Sequence, residues 1–566
     1  MIHLHIPASR KKILTFISLA TIIGGFQILG LYLTLREANA SYSLASLAQK
    51  GIIGILICAI LLPLGWELGK KLMQHGSYEC ATSEKPILKI FTDIPFIMLI
   101  IILCWLPCFL AYFPGIYSYD GEPQLIQYIN HRFDNHHPVI HTLLLGSCYD
   151  LGKWFTAHGI SIDGLAFYSV IQMLLLSGAF AYVIRLMIIK QVNRVYLFLN
   201  LAYFCLFPVN PMMAVSSTKD TVFAAFFVMF LTELSLAVSD NTSLKASSLV
   251  RLFIFAAGCM FFRRNGLYVI LLLSIGMAMV VAVSAIKKRF SSKHSDLKNI
   301  GTKRPLLVIT ATLLLSVVFF TATEKLVMRS LHAVQGESAE ALSIPLQQMA
   351  RAYKSNEQQV RDTFGDRLFA YISPTGLANY RPLITDGVKQ GFNNDLFKTD
   401  KKDFVKLYID MGLKYPGSYI LSVLYLTKGD WQILDTSYID VYHNWWRDRT
   451  GYLITDATPV FAQGYVKKEN LLPKLRDDYE AWATDCSFLK FLPEQIVCSP
   501  ASYVILSLLG SLALLIKKKQ RCYPIAAAIL IYLLTILAGP CVLVRYIYPI
   551  MVSMPLFAWL VLDSKA

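Results

Sequence analysis

Residues 92–124 read TDIPFIMLIIILCWLPCFLAYFPGIYSYDGEPQ. From Ile94 to Phe113 the stretch carries no charged side chain, and a helix of that length covers about 30 Å, the thickness of a bilayer's hydrocarbon core. The run is unbroken by the 3.6-residue polar stripe of a surface helix, so it is apolar on all sides and suits lipid. Pro114-Gly115 then ends it, and the first acidic side chains follow at Asp120 and Glu122. The two halves of this stretch therefore predict a membrane span leading into a polar loop at its exit.

Runs of the same kind recur outward in both directions. They lie near 13–33, 48–68, 92–113, 162–187, 195–215, 220–238, 249–263, 266–286, 305–323, 500–516, 523–538 and 543–562. Charged residues make up only 16% of the chain, below the roughly 25% of soluble domains, which agrees with an all-α polytopic protein of about 12 transmembrane helices. The first run shows no small-residue cleavage site and reads as a retained span. Basic residues mark its sidedness. Arg10, Lys11 and Lys12, then Lys70 and Lys71, Arg185 and Lys190, seven Lys or Arg in 287–304, and Lys517 to Lys519 all fall on one side if both termini are cytoplasmic. This confinement to loops beside spans explains the net charge of +16 without a nucleic-acid partner, and no basic stripe interleaved with aromatics is present.

The same assignment divides the chain into a membrane core, 1–323, an external segment, 324–499, and C-terminal spans, 500–566. The external segment holds 21 basic and 22 acidic residues and reads as a mainly helical module broken by Pro374, Pro382 and Pro416. Of the eleven cysteines, only Cys486 and Cys498 lie in it, and an oxidising side would allow them to pair.

An external loop, 114–161, precedes the fourth span. Leu125, Ile126, Ile129 and Phe133 recur at helical spacing opposite Gln124, Gln127 and Asn130, and a second amphipathic stretch starts at Pro138. Two interfacial helices with polar groups at headgroup depth are expected. Asp120 opens the first. It reads either as an N-cap or as a general base for a hydroxyl, its pKa raised by burial beside lipid. His131, His136, His137 and His141 fall within eleven residues; His137 and His141, at i and i+4, and the Asp120-x-Glu122 pair are the places where a divalent cation would bind, against packing and hydrogen-bonding uses. Lys219, Arg263, Arg264 and Arg545 sit at the outer ends of spans, where cations suit a lipid phosphate. The competing use for Arg545 is snorkelling to headgroups beside Tyr546 and Tyr548.

Six blocks, PGIYSYDGEPQ (114–124), NHHPVIHTLLLG (135–146), STKDTVFA (217–224), FRRNGLY (262–268), SIPLQQMAR (343–351) and GPCVLVRYIYP (539–549), together resemble an uncharacterised bacterial branch of the C-type (GT-C) glycosyltransferase superfamily. The resemblance implies a sugar donor carried on polyprenyl phosphate, a cell-envelope glycan or glycolipid acceptor, and a first-loop carboxylate near the reacting centre, here Asp120. Lys219, Arg263, Arg264 and Arg545 would hold the donor phosphate, with His136 and His137 shaping the site. No Asp-x-Asp follows in the loop, so no metal or other cofactor is expected; basic residues would neutralise the leaving phosphate instead. The 343–351 block is given a structural or acceptor-side role. A polymerase or ligase of lipid-linked glycans, a transporter or flippase, and a non-catalytic wall-binding scaffold are the rival readings. No pair of Gly/Pro-interrupted spans in matching halves supports transport.

Overall fold

The computed structural model describes residues 8–37, 43–72, 93–117, 120–239, 244–290, 303–435, 471–483 and 490–563. These residues form helices and no strand; the only β-type pairings among them are isolated bridges. In chain order, the membrane part contains α1 (Ala8–Glu37), α2 (Leu44–Leu72), α3 (Ile94–Ala111), α4 (Gly121–Ile129), α5 (Val139–Ala157), α6 (Gly164–Ile189), α7 (Arg194–Leu206), α8 (Val209–Ala214), α9 (Lys219–Ser239), α10 (Ala246–Phe262), α11 (Arg264–Phe290) and α12 (Lys303–Ser330). The segment beyond it opens with α13 (Ser343–Ser355), α14 (Glu357–Tyr371), α15 (Lys401–Lys414) and α16 (Pro416–Leu426). The chain closes with α17 (Pro473–Ala483), α18 (Leu492–Cys498), α19 (Pro500–Ile516), α20 (Tyr523–Leu537) and α21 (Val544–Leu562).

Among the described residues nine helices are long and apolar enough to cross a membrane, and ten if α18 and α19, bent by 68° at Ser499, count as one crossing. The protein is a multi-pass helical membrane protein. Ile52, Leu56, Ile60 and Leu64 make an exposed stripe along α2, which only lipid would tolerate at that length. The most enclosed spans are α9 and α21, which pack on each other at the centre of the bundle.

Two of the expected twelve spans form differently. The run 249–263 becomes α10, seventeen residues long and short for a crossing by itself. The run 195–215 is not one helix. Pro208 and Pro211 lack the N–H groups that would continue α7, so the chain breaks at Phe207 and restarts as α8. Side chains take up the carbonyls around the break: Phe204 O, which Pro208 cannot bond, accepts from Trp105 Nε1 at 3.0 Å and Asn210 Nδ2 at 3.3 Å, and Gln172 Nε2 donates to Met213 O at 2.8 Å and Ala214 O at 3.0 Å. Such compensation is what allows broken backbone inside a bundle. The two pieces still run as one path antiparallel to α21, with Tyr196 bonded to Pro555 O, Tyr203 to Met551 O, and Tyr548 to Asn210.

A second core, separate from that of the bundle, is built by α13 to α16 around Leu346, Met349, Leu368, Leu407 and Met411. The SIPLQQMAR block is its central helix. Gln347 donates to Arg381 O, and Gln348 bridges Tyr419 O at 3.2 Å and the Tyr408 hydroxyl at 2.7 Å, which ties the helix into this core. Not all of this segment stays beyond the spans. Residues 425–433 run beside α1: Tyr425 bonds Leu33 O, Lys428 bonds Thr34, and Gln27 bonds both Trp431 O and the Ile433 N–H. Gln27 is about 15 Å along the helix from Glu37 at 1.5 Å per residue. In the expected Cys486–Cys498 pair, Cys486 lies outside the described residues; Cys498 is buried at the bend between α18 and α19.

Candidate functional site

Five chain segments meet around one cavity of about 680 Å³. The first is the loop after α3. Gly115 turns it with φ +144°, a conformation that favours glycine, and Ile116 then pairs with Ser216 just before α9. This brings Asp120, at the start of α4, against Lys219, at the start of α9. The amphipathic pair α4 and α5 packs as expected in type but not in orientation. Gln124 is buried rather than facing headgroups: it donates to Thr142 and pairs with His141, whose other ring nitrogen meets the Tyr168 hydroxyl at 2.7 Å. The outward face of α5 is mixed, with Leu151 and Trp154 exposed beside Ser147, Asp150 and Lys153.

Asp120 does not cap α4. Its side chain makes no bond to the helix's N–H groups and turns instead to two cations. The Lys219 ammonium contacts Oδ2, and Arg545 at the start of α21 brings Nη1 to 3.0 Å of Oδ2 and Nη2 to 3.4 Å of Oδ1. The N-cap reading is therefore replaced by an ion cluster, and so is the expectation of a raised pKa. Burial does push the Asp120 carboxyl up, but Arg545 and Lys219 outweigh it and hold the group well below the usual carboxylate range. Arg545 does not snorkel; it is 6% exposed and sits inside the bundle.

The cluster continues inward. Asp220, 0% exposed, receives Arg263 Nη1 at 2.7 Å and Arg545 Nε at 3.7 Å. Arg263 also donates to Asn265 at 3.1 Å and meets the Tyr532 hydroxyl at 3.3 Å, with its guanidinium 4.6 Å from the centre of the Tyr546 ring. Lys219, Arg263 and Arg545 against Asp120 and Asp220 leave one net positive charge in this buried group. His137 extends it: an ammonium can only donate, so His137 Nδ1 accepts from Lys219 at 3.0 Å. Burial first, then the Lys219 charge, depresses the His137 pKa well below its ordinary value, and the ring is neutral. His136 stacks edge-on at 4.4 Å and is exposed to the cavity. Arg264 stands apart from the ion pairs at the cavity rim, donating to Asn135 O at 2.7 Å.

The structure brings Asp120, His136, His137, Lys219, Arg263, Arg264 and Arg545 together in the wall of one cavity, whereas Glu122, His131 and His141 are not among its lining residues. His137 and His141 do not converge, each ring being committed to different partners, and among the described residues no three His, Cys, Asp or Glu side chains form a metal-like group. What the sequence did not reveal is the opposite wall. Gly336, Glu337, Glu340 and Asp386 lie across the cavity from the bundle. Val334 pairs with Asp134, Gly336 donates its N–H to Asn135 Oδ1 at 2.7 Å, and an added Cβ at Gly336 would lie 3.0 Å from His136 Cα. Thr385 N bonds Pro540 O at 3.0 Å, and Lys389, buried, ties Glu340 to Asp386. The contacts to Asp134, Asn135 and Pro540 join residues more than a hundred positions apart, and no local pattern announces them. The third side is apolar: Tyr268 and Leu272 of α11 and Ile531 and Leu534 of α20.

Comparison with known proteins adds a family to this geometry. Residues 129–565 match the model of DUF6020, described as a family of unknown function. The chain belongs to the DUF6020 family. The matched region contains Lys219, Arg263, Arg264 and Arg545 and both histidines, while Asp120 precedes it. No curated protein and no solved structure matches the chain.

Proposed function

We propose that this protein is a membrane glycosyltransferase of the GT-C kind, transferring a sugar from a polyprenyl-phosphate donor to a cell-envelope acceptor. One observation carries the reading. The cavity joins a buried cationic cluster to an apolar flank, and on that flank Tyr268, Leu272 and Leu534 are 51%, 50% and 66% exposed on the outer surface of the spans. A ligand that fits both ends has an anionic head and a long apolar tail, as a lipid-linked phosphate does.

In this reading the chain crosses the membrane about twelve times with both termini inside. The charge pattern of the loops supports that arrangement, which puts the cavity at the external face. Arg263, Arg545 and Lys219 bind the donor phosphate, Arg264 meets it at the rim, and His136 and His137 shape the wall. The acceptor hydroxyl attacks the anomeric carbon, the bond from that carbon to the phosphate oxygen breaks, and Asp120 takes the hydroxyl proton. Sugar transfer creates one additional negative charge on the departing phosphate, and fixed guanidinium groups in a water-poor site stabilise such developing charge. The external segment, across the cavity, binds the acceptor.

The test is release of polyprenyl phosphate from a polyprenyl-phosphate sugar by purified protein in lipid nanodiscs with envelope acceptor lipid present. Release that depends on Asp120 and Arg545 supports the reading. Absence of release across the common hexose and pentose donors, with protein shown to be folded, opposes it.

A further inference from the structure

The two carboxylates of the ion cluster are not equivalent. Asp220 is completely buried and takes no part in the cavity wall, whereas Asp120 lines the cavity together with the two cations it pairs with, Lys219 and Arg545. Asp120 also makes no cap bond to its own helix, so moving its side chain leaves the start of α4 intact. A phosphate entering along the apolar flank meets Lys219 and Arg545 already paired with a carboxylate of like charge and similar oxygen geometry. It binds them only by displacing that group.

Resting on the donor reading above, we propose that Asp120 is an internal stand-in for the substrate phosphate, holding Lys219 and Arg545 until a lipid-borne phosphate takes them over and releases it to act as a base. Charge balance favours this sequence. Three cations, Asp220, ionised Asp120 and a phosphodiester sum to zero. After transfer, Asp120 is protonated and the phosphate has become a monoester of charge near −2, so the sum is again zero. The exchange also removes the obstacle to proton transfer: a carboxylate gripped by two cations is a weak base, and one that has lost them is a stronger base. Each cation is thus used twice, first to hold the base inactive and then to hold the leaving group.

The experiment measures binding of undecaprenyl phosphate, without sugar, to the purified full chain in nanodiscs, with inorganic phosphate as the control for a non-lipid source. The wild type binds the lipid phosphate and not inorganic phosphate at equal concentration. Asp120→Asn, which removes the internal competitor, lowers Kd by about tenfold or more, in line with the coupling of close charge pairs. Equal or weaker binding by Asp120→Asn, with the wild type binding, overturns the stand-in and leaves the donor reading intact. No binding by the wild type, or binding of inorganic phosphate as tight as that of the lipid, overturns the donor reading itself. If Asp120→Asn does not fold, the same comparison is made between Lys219→Gln and Lys219→Gln/Asp120→Asn. That pair removes both partners of one ion pair, and tightening on adding the second change is again the supporting result and its absence the opposing one.

Discussion

Replacing Asp220 with Asn isolates the inner half of the ion cluster. The substitution keeps the volume and removes the charge from a side chain that is 0% exposed and receives Arg263 at 2.7 Å and Arg545 at 3.7 Å. Arg545 keeps Asp120, 3.0 Å away. Arg263 keeps only neutral partners among those described, Asn265, Tyr532 and the Tyr546 ring, and becomes a buried cation without a nearby anion. Breaking a buried pair from one side costs about 3–5 kcal/mol. Arg263→Gln breaks the same pair from the other side and is expected to cost a similar amount. The double variant removes both charges and should cost about as much as either single one, so the cycle yields a coupling of roughly 3–5 kcal/mol. SDS-driven unfolding in mixed micelles reads all four corners. Single costs below about 1 kcal/mol, or costs that add within about 0.5 kcal/mol, would refute the claim that this pair is a buried, mutually dependent unit.

Three further outcomes follow from the site. Asp120→Asn should lower transfer by about two to four decades, the usual worth of general base catalysis, and activity near wild type would remove Asp120 from the mechanism. Arg264→Gln should weaken donor binding while leaving SDS resistance unchanged, because Arg264 is exposed and its bond is to one backbone carbonyl; loss of folded protein would show it to be structural. Stability should be full above about pH 6.5, where an unfolded histidine is neutral, and decline as pH falls from there toward about 3. The reason is that burial depresses the His141 pKa to about 3 and that of His137 well below its ordinary value, so the unfolded chain binds those protons first. His141→Gln should flatten the decline in a pH series of thermal melts, and an unchanged slope would contradict this assignment.

How much of this was readable in the sequence depends on whether the signal was local. Apolar runs near twenty residues identify spans because each residue of such a run faces the same requirement, and nine to ten are found among the described residues. Where a run contained Pro208 and Pro211, composition still read as a span, but the missing donors broke the helix. The site cations were legible because an Arg or Lys at the outer end of a span is costly enough to need a reason. Their partner was not. Asp120 looked like an N-cap since its sequence neighbours, Gly121 and Pro123, suit a helix start, while Lys219 and Arg545 are 99 and 425 residues away. The wall from Gly336 to Glu340 gave no signal at all, because its place over the cavity rests on the Asp134–Val334 bridge and the Thr385–Pro540 bond.

The central claim is sugar transfer from a lipid-phosphate donor. Its most direct measurement is mass spectrometry of envelope glycans and polyprenyl-linked sugars from cells carrying the wild-type chain, no chain, or the Asp120→Asn variant. One glycan species is expected to lose a single sugar increment in the last two, with a polyprenyl-phosphate sugar accumulating in both. Identical glycans and an identical lipid-linked pool in all three strains would contradict it.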